Sequence, residues 1–146
     1  MYFEIVFFVT CTLNFNFLDT KMEALFIQAT EDTPLVDYSI EKDSFLISER
    51  SYPENAVDFY APVIAWTEKL LSQTEQKTYV FDFDFEYLNT ASSKQIIKML
   101  LAIEKFIEKH SITVRWFYEK SDEDMYALGK QYSKFLKLPF EVVGKK

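Results

Sequence analysis

Residues 77–88 (KTYVFDFDFEYL) constrain the fold of this chain more than any other segment. Aromatic residues alternate there with acidic and aliphatic ones, which is the period of a β-strand. The aromatic positions are Tyr79, Phe81, Phe83, Phe85 and Tyr87, and the carboxylates between them are Asp82, Asp84 and Glu86. A parallel sheet covered on both faces would not tolerate three carboxylates on one of them. The segment therefore predicts a sheet that helices cover on one face and water covers on the other.

The patterns around this strand predict the element order β-β-β-α-β-α-β-α-β. Further strands are expected at residues 23–29, 36–40, 45–50, 112–118 and 140–143, and helices at 53–72, 91–109 and 121–138. Pro53 fits the first position of the first helix, Pro62 should kink or divide that helix, and Ser121 with Asp124 resembles a capping box. Right-handed crossovers put all helices on one face when the sheet winds one way. The predicted fold is an α/β two-layer sandwich with a mixed β-sheet.

Apolar stripes mark the helix faces that should pack against this sheet. The stripe of the first helix includes Val57, and the stripe of the third helix includes Phe135. Apolar residues at helical spacing line one side of a helix, so we expect both side chains to face inward.

Composition limits the classes of function. The chain has 146 residues, enough for one domain with a real core, and a formal net charge of −7. An acidic surface repels nucleic-acid phosphates, and no polybasic segment suggests a membrane surface, so we expect neither as a partner. The single Cys11 and the single His110 exclude an internal disulfide, a cysteine-based metal site and a histidine cluster. We expect a cytoplasmic protein that is not an enzyme and that has no cofactor or metal.

Residues 1–21 differ from the rest of the chain. They are apolar and aromatic, but a positive n-region and a cleavage site are lacking, and Glu4, Asn14 and Asn16 interrupt them. Neither a signal peptide nor a transmembrane helix fits this pattern. We interpret 1–21 as an extra segment arising from a start codon placed too far upstream, and 22–146 as the domain. An added strand or a hydrophobic anchor is the alternative.

Residues 87–94 (YLNTASSK) place a polar cluster where a strand ends and a helix begins. Either Asn89 or Thr90 can accept a hydrogen bond from the first helical turn, and capping is the simplest interpretation. Yet one cap needs only one such side chain, and Lys94 lies in the first turn, where the helix dipole disfavours a cation. A phosphate on Thr90 would meet free backbone amides, with Lys94 in reach. Capping and phosphorylation both remain open on these residues alone.

Several segments resemble the SiaC-type regulatory phosphoproteins of bacteria. They cover nearly all of the domain: 22–27 (MEALFI), 30–34 (TEDTP), 51–56 (SYPENA) continuing to Trp66, 87–94 (YLNTASSK), 114–118 (VRWFY), 121–125 (SDEDM) and 139–140 (PF). The SYPEN and YLNT-S-K motifs are the most specific of these. Ala91 is a departure, since many relatives have a serine there.

The resemblance implies a partner-switching protein with a fold similar to the STAS domains of anti-sigma-factor antagonists. It implies phosphorylation of Thr90 by a dedicated protein kinase and dephosphorylation by a PP2C-type phosphatase. It also implies that the unphosphorylated form binds and activates a diguanylate cyclase, which raises cyclic di-GMP and promotes biofilm formation. We expect the partner-binding surface to include Tyr52, Pro53, Glu54, Asn55, Tyr87, Asn89, Ser92, Ser93 and Lys94.

An alternative function uses the acidic strand face. Asp82, Asp84 and Glu86 would then bind a metal or a small ligand. Carboxylates spaced by two along one strand lie about 7 Å apart and diverge, whereas a hard cation needs converging oxygens. A solvated face, balanced in part by Arg115, is the simpler interpretation.

Overall fold

The structure is a computed structural model that describes residues 22–146 and, as backbone, residues 5–8. In these residues seven strands form one mixed sheet in the order in which they occur along the chain. β1 to β4 pair antiparallel, and β4 to β7 pair parallel. The elements are β1 (Ile5–Phe8), β2 (Ala24–Ile27), β3 (Leu35–Ser39), β4 (Ser44–Ser51), α1 (Ala56–Leu71), β5 (Thr78–Leu88), α2 (Thr90–Glu104), β6 (Ser111–Glu119), α3 (Glu123–Phe135) and β7 (Phe140–Lys145).

The predicted two-sided character of β5 is confirmed. Phe81, Phe83 and Phe85 are buried, while Asp82 and Asp84 between them are half-buried. These aromatic side chains pack in one hydrophobic core with inward-facing residues of the other strands and of all three helices. Because β4 to β7 follow one another in one direction through α1, α2 and α3, right-handed crossovers place the three helices on the same face. The predicted α/β two-layer sandwich with a mixed sheet is confirmed.

Two helices differ from their predicted extents. Helix α1 begins at Ala56 with Asn55 as its N-cap, so Pro53 precedes the helix and the prediction that it takes the first helical position is wrong. The helix continues through Pro62 as one helix. Pro62 lies in the second turn, and both it and Asp58, whose carbonyl loses its amide partner, are exposed, so water can solvate that carbonyl. Helix α2 ends at Glu104 and not at Lys109, because i+3 hydrogen bonds such as Phe106 N–H to the Ile103 carbonyl replace the α-helical pattern.

Two apolar residues expected in the core lie on the surface. Val57 is 54% exposed and Phe135 is 68% exposed. Val57 sits in the first turn of α1, where Ala56 and Phe59 occupy the inward positions. At the end of α3 the chain becomes extended, and Leu136 after the helix is buried in place of Phe135.

The cap of α3 also differs from the prediction. Asp122, and not Ser121, is the N-cap, and its carboxylate accepts a hydrogen bond from the Met125 amide at 3.0 Å. Asp and Ser are about equally good caps, so composition alone could not separate two adjacent candidates.

The backbone of β1 pairs antiparallel with β2, from Ile5 opposite Ile27 to Phe8 opposite Ala24. This pairing is what the added-strand interpretation of residues 1–21 predicts. Cys11 and the rest of that segment lie outside the described residues, and the domain boundary at Met22 stays a prediction.

His110 is a structural residue. Its ring is buried, and the backbone amide of Lys77 donates to Nδ1 at 3.2 Å. An amide can only donate, so Nδ1 is the acceptor and Nε2 carries the proton that it donates to the Leu71 carbonyl at 2.7 Å. The imidazole therefore joins the end of α1 to the start of β5.

Candidate functional site

Two motifs that are distant in sequence meet at one edge of the sheet. β4 and β5 are parallel neighbours, and each is followed by a helix, so the amino-terminal ends of α1 and α2 lie side by side. A hydrogen bond of 3.0 Å from the Asn89 amide to the Ser51 carbonyl joins the two connections directly. The sheet topology thus brings residues 52–55 next to residues 89–94.

The structure distinguishes the cap from the adjacent threonine. Asn89 is the N-cap of α2, and its Oδ1 accepts a hydrogen bond from the Ser92 amide at 2.8 Å. Thr90 is the first helical residue and is exposed. Within the described residues its hydroxyl makes no hydrogen bond, and only its backbone carbonyl is engaged, by Ser93 Oγ at 2.8 Å. The Thr90 hydroxyl is therefore available for chemistry without loss of the cap.

A shallow crevice of about 500 Å³ separates the two helix ends. Thr90 and Lys94 lie four residues apart on one side of α2, which places them as neighbours on the helix surface. The crevice is lined by Glu54, Asn55, Ala56, Val57, Thr90, Ala91, Lys94 and Gln95. The SYPEN and YLNT-S-K motifs therefore form two sides of one surface feature.

A buried hydroxyl cluster supports this region from below. Ser51 Oγ donates to Ser92 Oγ at 2.9 Å, so the Tyr60 hydroxyl, 2.6 Å away, must donate to Ser51. Burial raises the pKa of Tyr60 well above its usual value, although the hydrogen bonds with Ser51 and Ser92 oppose that shift. The cluster links the end of β4, α1 and the first turn of α2.

The predicted binding residues divide into two groups. Pro53 and Ser92 are buried, which removes their side chains from direct contact with a partner. Glu54, Asn55, Tyr87, Thr90 and Lys94 are exposed, and Tyr52, Asn89 and Ser93 are half-buried. Asn55 also caps α1, since its Oδ1 accepts from the Asp58 amide at 3.1 Å. The predicted residues thus lie together, but not all of them reach the surface.

A β-bulge changes the direction of Tyr87. The register shifts so that Glu49 pairs with Phe85 and Arg50 pairs with Tyr87, which leaves Glu86 as the extra residue. Such a bulge interrupts the alternation of side chains, and Tyr87, predicted on the buried aromatic face, is 47% exposed.

Tyr87 contacts Tyr52 edge to face, with ring centroids 5.6 Å apart. The guanidinium of Arg50 lies 5.3 Å from the Tyr52 ring centroid and 6.0 Å from that of Tyr87. Sequence reasoning missed Arg50, because no motif distinguishes it from other surface cations.

The acidic strand face is engaged in ion pairs. Asp82 accepts two hydrogen bonds from the Arg115 guanidinium, at 2.7 and 2.6 Å, as the sequence suggested. Asp84 pairs with Lys145 at 2.6 Å. Among the described residues no group of three or more His, Cys, Asp or Glu side chains could hold a metal ion. Nothing in this arrangement favours the alternative of a metal or ligand site on this face.

Comparison with known families identifies the chain. The family model described as "SiaC family regulatory phosphoprotein" matches residues 27–145 of the chain. The chain belongs to the SiaC family. The predicted resemblance is thereby confirmed, and the family is one of regulatory phosphoproteins. In the described residues no helix is long and apolar enough to cross a membrane.

Solved structures of a relative have the same fold. The chain is similar to SiaC of Pseudomonas aeruginosa in its apo form, with a TM-score of 0.75 and 26% identity over 83% of this chain and 98% of that one. It is also similar to a chain in the crystal structure of the diguanylate cyclase SiaD with its activator SiaC, with a TM-score of 0.76, 26% identity and coverage of 83% and 99%. An uncharacterized protein of P. aeruginosa strain UCBPP-PA14 is 28% identical over 125 residues, which cover 83% of this chain and 96% of that protein.

Proposed function

We propose that this chain is a cytoplasmic partner-switching protein without enzymatic activity. Phosphorylation of Thr90 controls which partner it binds. A protein kinase adds the phosphate and a PP2C-type phosphatase removes it. The unphosphorylated form binds and activates a diguanylate cyclase, and the chain thereby acts in cyclic di-GMP signalling and biofilm formation.

The observation that carries this proposal is the state of the Thr90 side chain. Its hydroxyl is exposed and has no hydrogen bond within the described residues, while its neighbour Asn89 supplies the cap. A kinase can reach such a hydroxyl without unfolding the helix. A phosphate there adds a charge of about −1.5 to −2 beside Lys94 and the crevice, which changes the surface that a partner meets.

Family membership and the likeness to SiaC support the choice of partner. SiaC is named as the activator of the diguanylate cyclase SiaD, and at 26% identity the likeness extends over nearly the whole of the SiaC chain. Glu54, Asn55 and Lys94 are exposed and line the crevice with Thr90. Together with exposed Tyr87 and half-buried Tyr52, they form the surface that we assign to partner binding.

The test uses the kinase and ATP. The purified protein is incubated with the cognate kinase, and the modified residue is mapped by mass spectrometry. We expect one phosphate on Thr90, none on the Thr90→Ala variant, and unchanged incorporation in the Ser93→Ala variant, since Ser93 is the nearest partly exposed hydroxyl.

Incorporation that persists in Thr90→Ala, or a phosphate mapped to Ser93, would refute the assignment of Thr90. A second reaction adds the phosphatase to the phosphorylated protein, and loss of the phosphate is expected.

A further inference from the structure

One face of α2 is basic along its whole length. Lys94, Lys98 and Leu101 are exposed, as is Lys105 immediately after the helix, and Thr90 lies at the head of this row. The spacings of four, four, three and four residues place all five side chains on one side of the helix. We call Lys94, Lys98, Leu101 and Lys105 the basic ridge.

The lysines of the basic ridge form no ion pair among the described residues, although the exposed Glu54 lines the crevice with Lys94. In the part of the chain that the structure describes, the four ion pairs involve Lys77, Arg115 and Lys145, and none involves a lysine of the ridge. Glu104, the only acidic residue of α2, is half-buried, and its carboxylate accepts a hydrogen bond from the Lys137 amide at 2.6 Å. A local positive surface thus stands on a chain whose formal net charge is −7.

Apolar side chains accompany the lysines. Leu101 in the middle of the ridge is 39% exposed, and Val57 across the crevice is 54% exposed. Ala61 and Ala65 continue the exposed side of α1 with small side chains. α1 and α2 pack side by side, so an incoming chain would meet apolar groups next to cations.

We propose that the basic ridge binds an acidic segment of a protein partner whose carboxylates flank apolar side chains. The lysines attract the carboxylates, and Leu101 with Val57 contacts the apolar groups. A protein fits better than a nucleic acid or a lipid surface, because an extended polyanion also meets the field of the whole acidic chain, whereas a protein presents a small acidic patch.

The inference extends the proposed function, on which its second part rests. Phosphorylated Thr90 stands at the head of the ridge, one helical turn from Lys94. About two negative charges there offset much of the charge of three lysines and repel the carboxylates of the partner. The phosphate would then act on binding through charge, without a change of fold.

The first experiment uses a synthetic peptide of glutamate and leucine, with the leucines spaced for one face of a helix. Its binding to the full-length protein is followed by NMR and by titration at low salt. We expect shifts at the basic ridge and at Val57. The same peptide with lysine in place of glutamate should not bind.

Matched charge reversals test the surface. Lys98→Glu with Lys105→Glu should weaken binding of the peptide ~10-fold, from the typical strengths of exposed ion pairs and of like-charge repulsion. The control, Lys130→Glu with Lys134→Glu, makes the same change of net charge on exposed positions of α3 and should stay within about twofold if the ridge is what binds. Thr90→Glu should weaken binding about threefold, and Ser121→Glu should not.

Each failure has a separate meaning. Equal effects of the two charge reversals, or shifts outside the ridge, overturn the ridge as a binding surface. Tighter binding to anionic lipid vesicles, or dimerisation of the chain that is lost in the ridge variant, overturns the assignment to an acidic protein. The peptide needs neither kinase nor cyclase, so these outcomes are independent of where a kinase places its phosphate, which is the test of the proposed function.

Discussion

Replacing Asn89 and Thr90 separately should show that the cap and the phosphoacceptor are different residues. Asn89 Oδ1 accepts from the Ser92 amide at 2.8 Å, so Asn89→Ala leaves that amide without its partner. Loss of an N-cap costs about 1 kcal/mol, within a range of about 0.5–2 kcal/mol. The Thr90 hydroxyl has no hydrogen bond within the described residues, and alanine has the higher helix propensity, so Thr90→Ala should change the free energy of unfolding by less than about 0.5 kcal/mol.

Urea unfolding followed by circular dichroism measures both values, and Asn55→Ala serves as the control because Asn55 caps α1 in the same way at 3.1 Å. We expect Asn89→Ala and Asn55→Ala to lower the midpoint by similar amounts at unchanged slope. A loss of about 1 kcal/mol or more in Thr90→Ala would mean that the threonine has a structural role, and the separation of cap from switch would be wrong.

Three further predictions concern the core. In Gly129→Ala the new methyl group would overlap the Trp116 ring, with its carbon 2.9 Å from Nε1, and the ring is held in place by the hydrogen bond that Trp116 donates to the Met125 carbonyl. Calorimetry should therefore show that the free energy of unfolding falls by about 1–3 kcal/mol. An unchanged melting temperature would contradict this packing. Ser51→Ala removes the central hydroxyl of the buried cluster and should cost about 1–3 kcal/mol in urea unfolding, whereas a neutral result would mean that water replaces it. Burial raises the pKa of Tyr79 and of Tyr132 to about 12, above their ordinary value of 10.0, so the folded state retains these protons longer than the unfolded state does. The contribution of these two phenols to the free energy of unfolding is fully present below pH 10 and should be lost as the pH rises through about 12. A urea midpoint that stays constant over that window would refute the burial of these phenols.

The sheet was predictable because its signals are local. The alternation in β5 and the helical stripes indicate burial residue by residue. The observed starts of α1 at Ala56 and of α3 at Glu123 lie within three residues of the predicted starts at Pro53 and Ser121. Right-handed connections then determine on which side the helices lie.

The errors come from interactions between distant parts of the chain. The direction of the Tyr87 side chain depends on a bulge that forms where β5 pairs with β4, and at this bulge Glu49 in β4 has a φ of 77°. The alternation of residues within β5 does not predict where such a bulge occurs. Asn89 and Thr90 were both competent caps, and only the residue at which α2 begins distinguishes them. The crevice could not be predicted without knowing that β4 and β5 are parallel neighbours, which places the starts of α1 and α2 side by side.

The affinity of the diguanylate cyclase for the two forms of the protein bears most directly on the Thr90 switch. The unphosphorylated chain and the chain phosphorylated on Thr90 alone are titrated against the cognate cyclase under the same conditions. We predict binding by the unphosphorylated form and a loss of at least ~10-fold after phosphorylation, which corresponds to about 1.4 kcal/mol. Equal affinity of the two forms would contradict the switch.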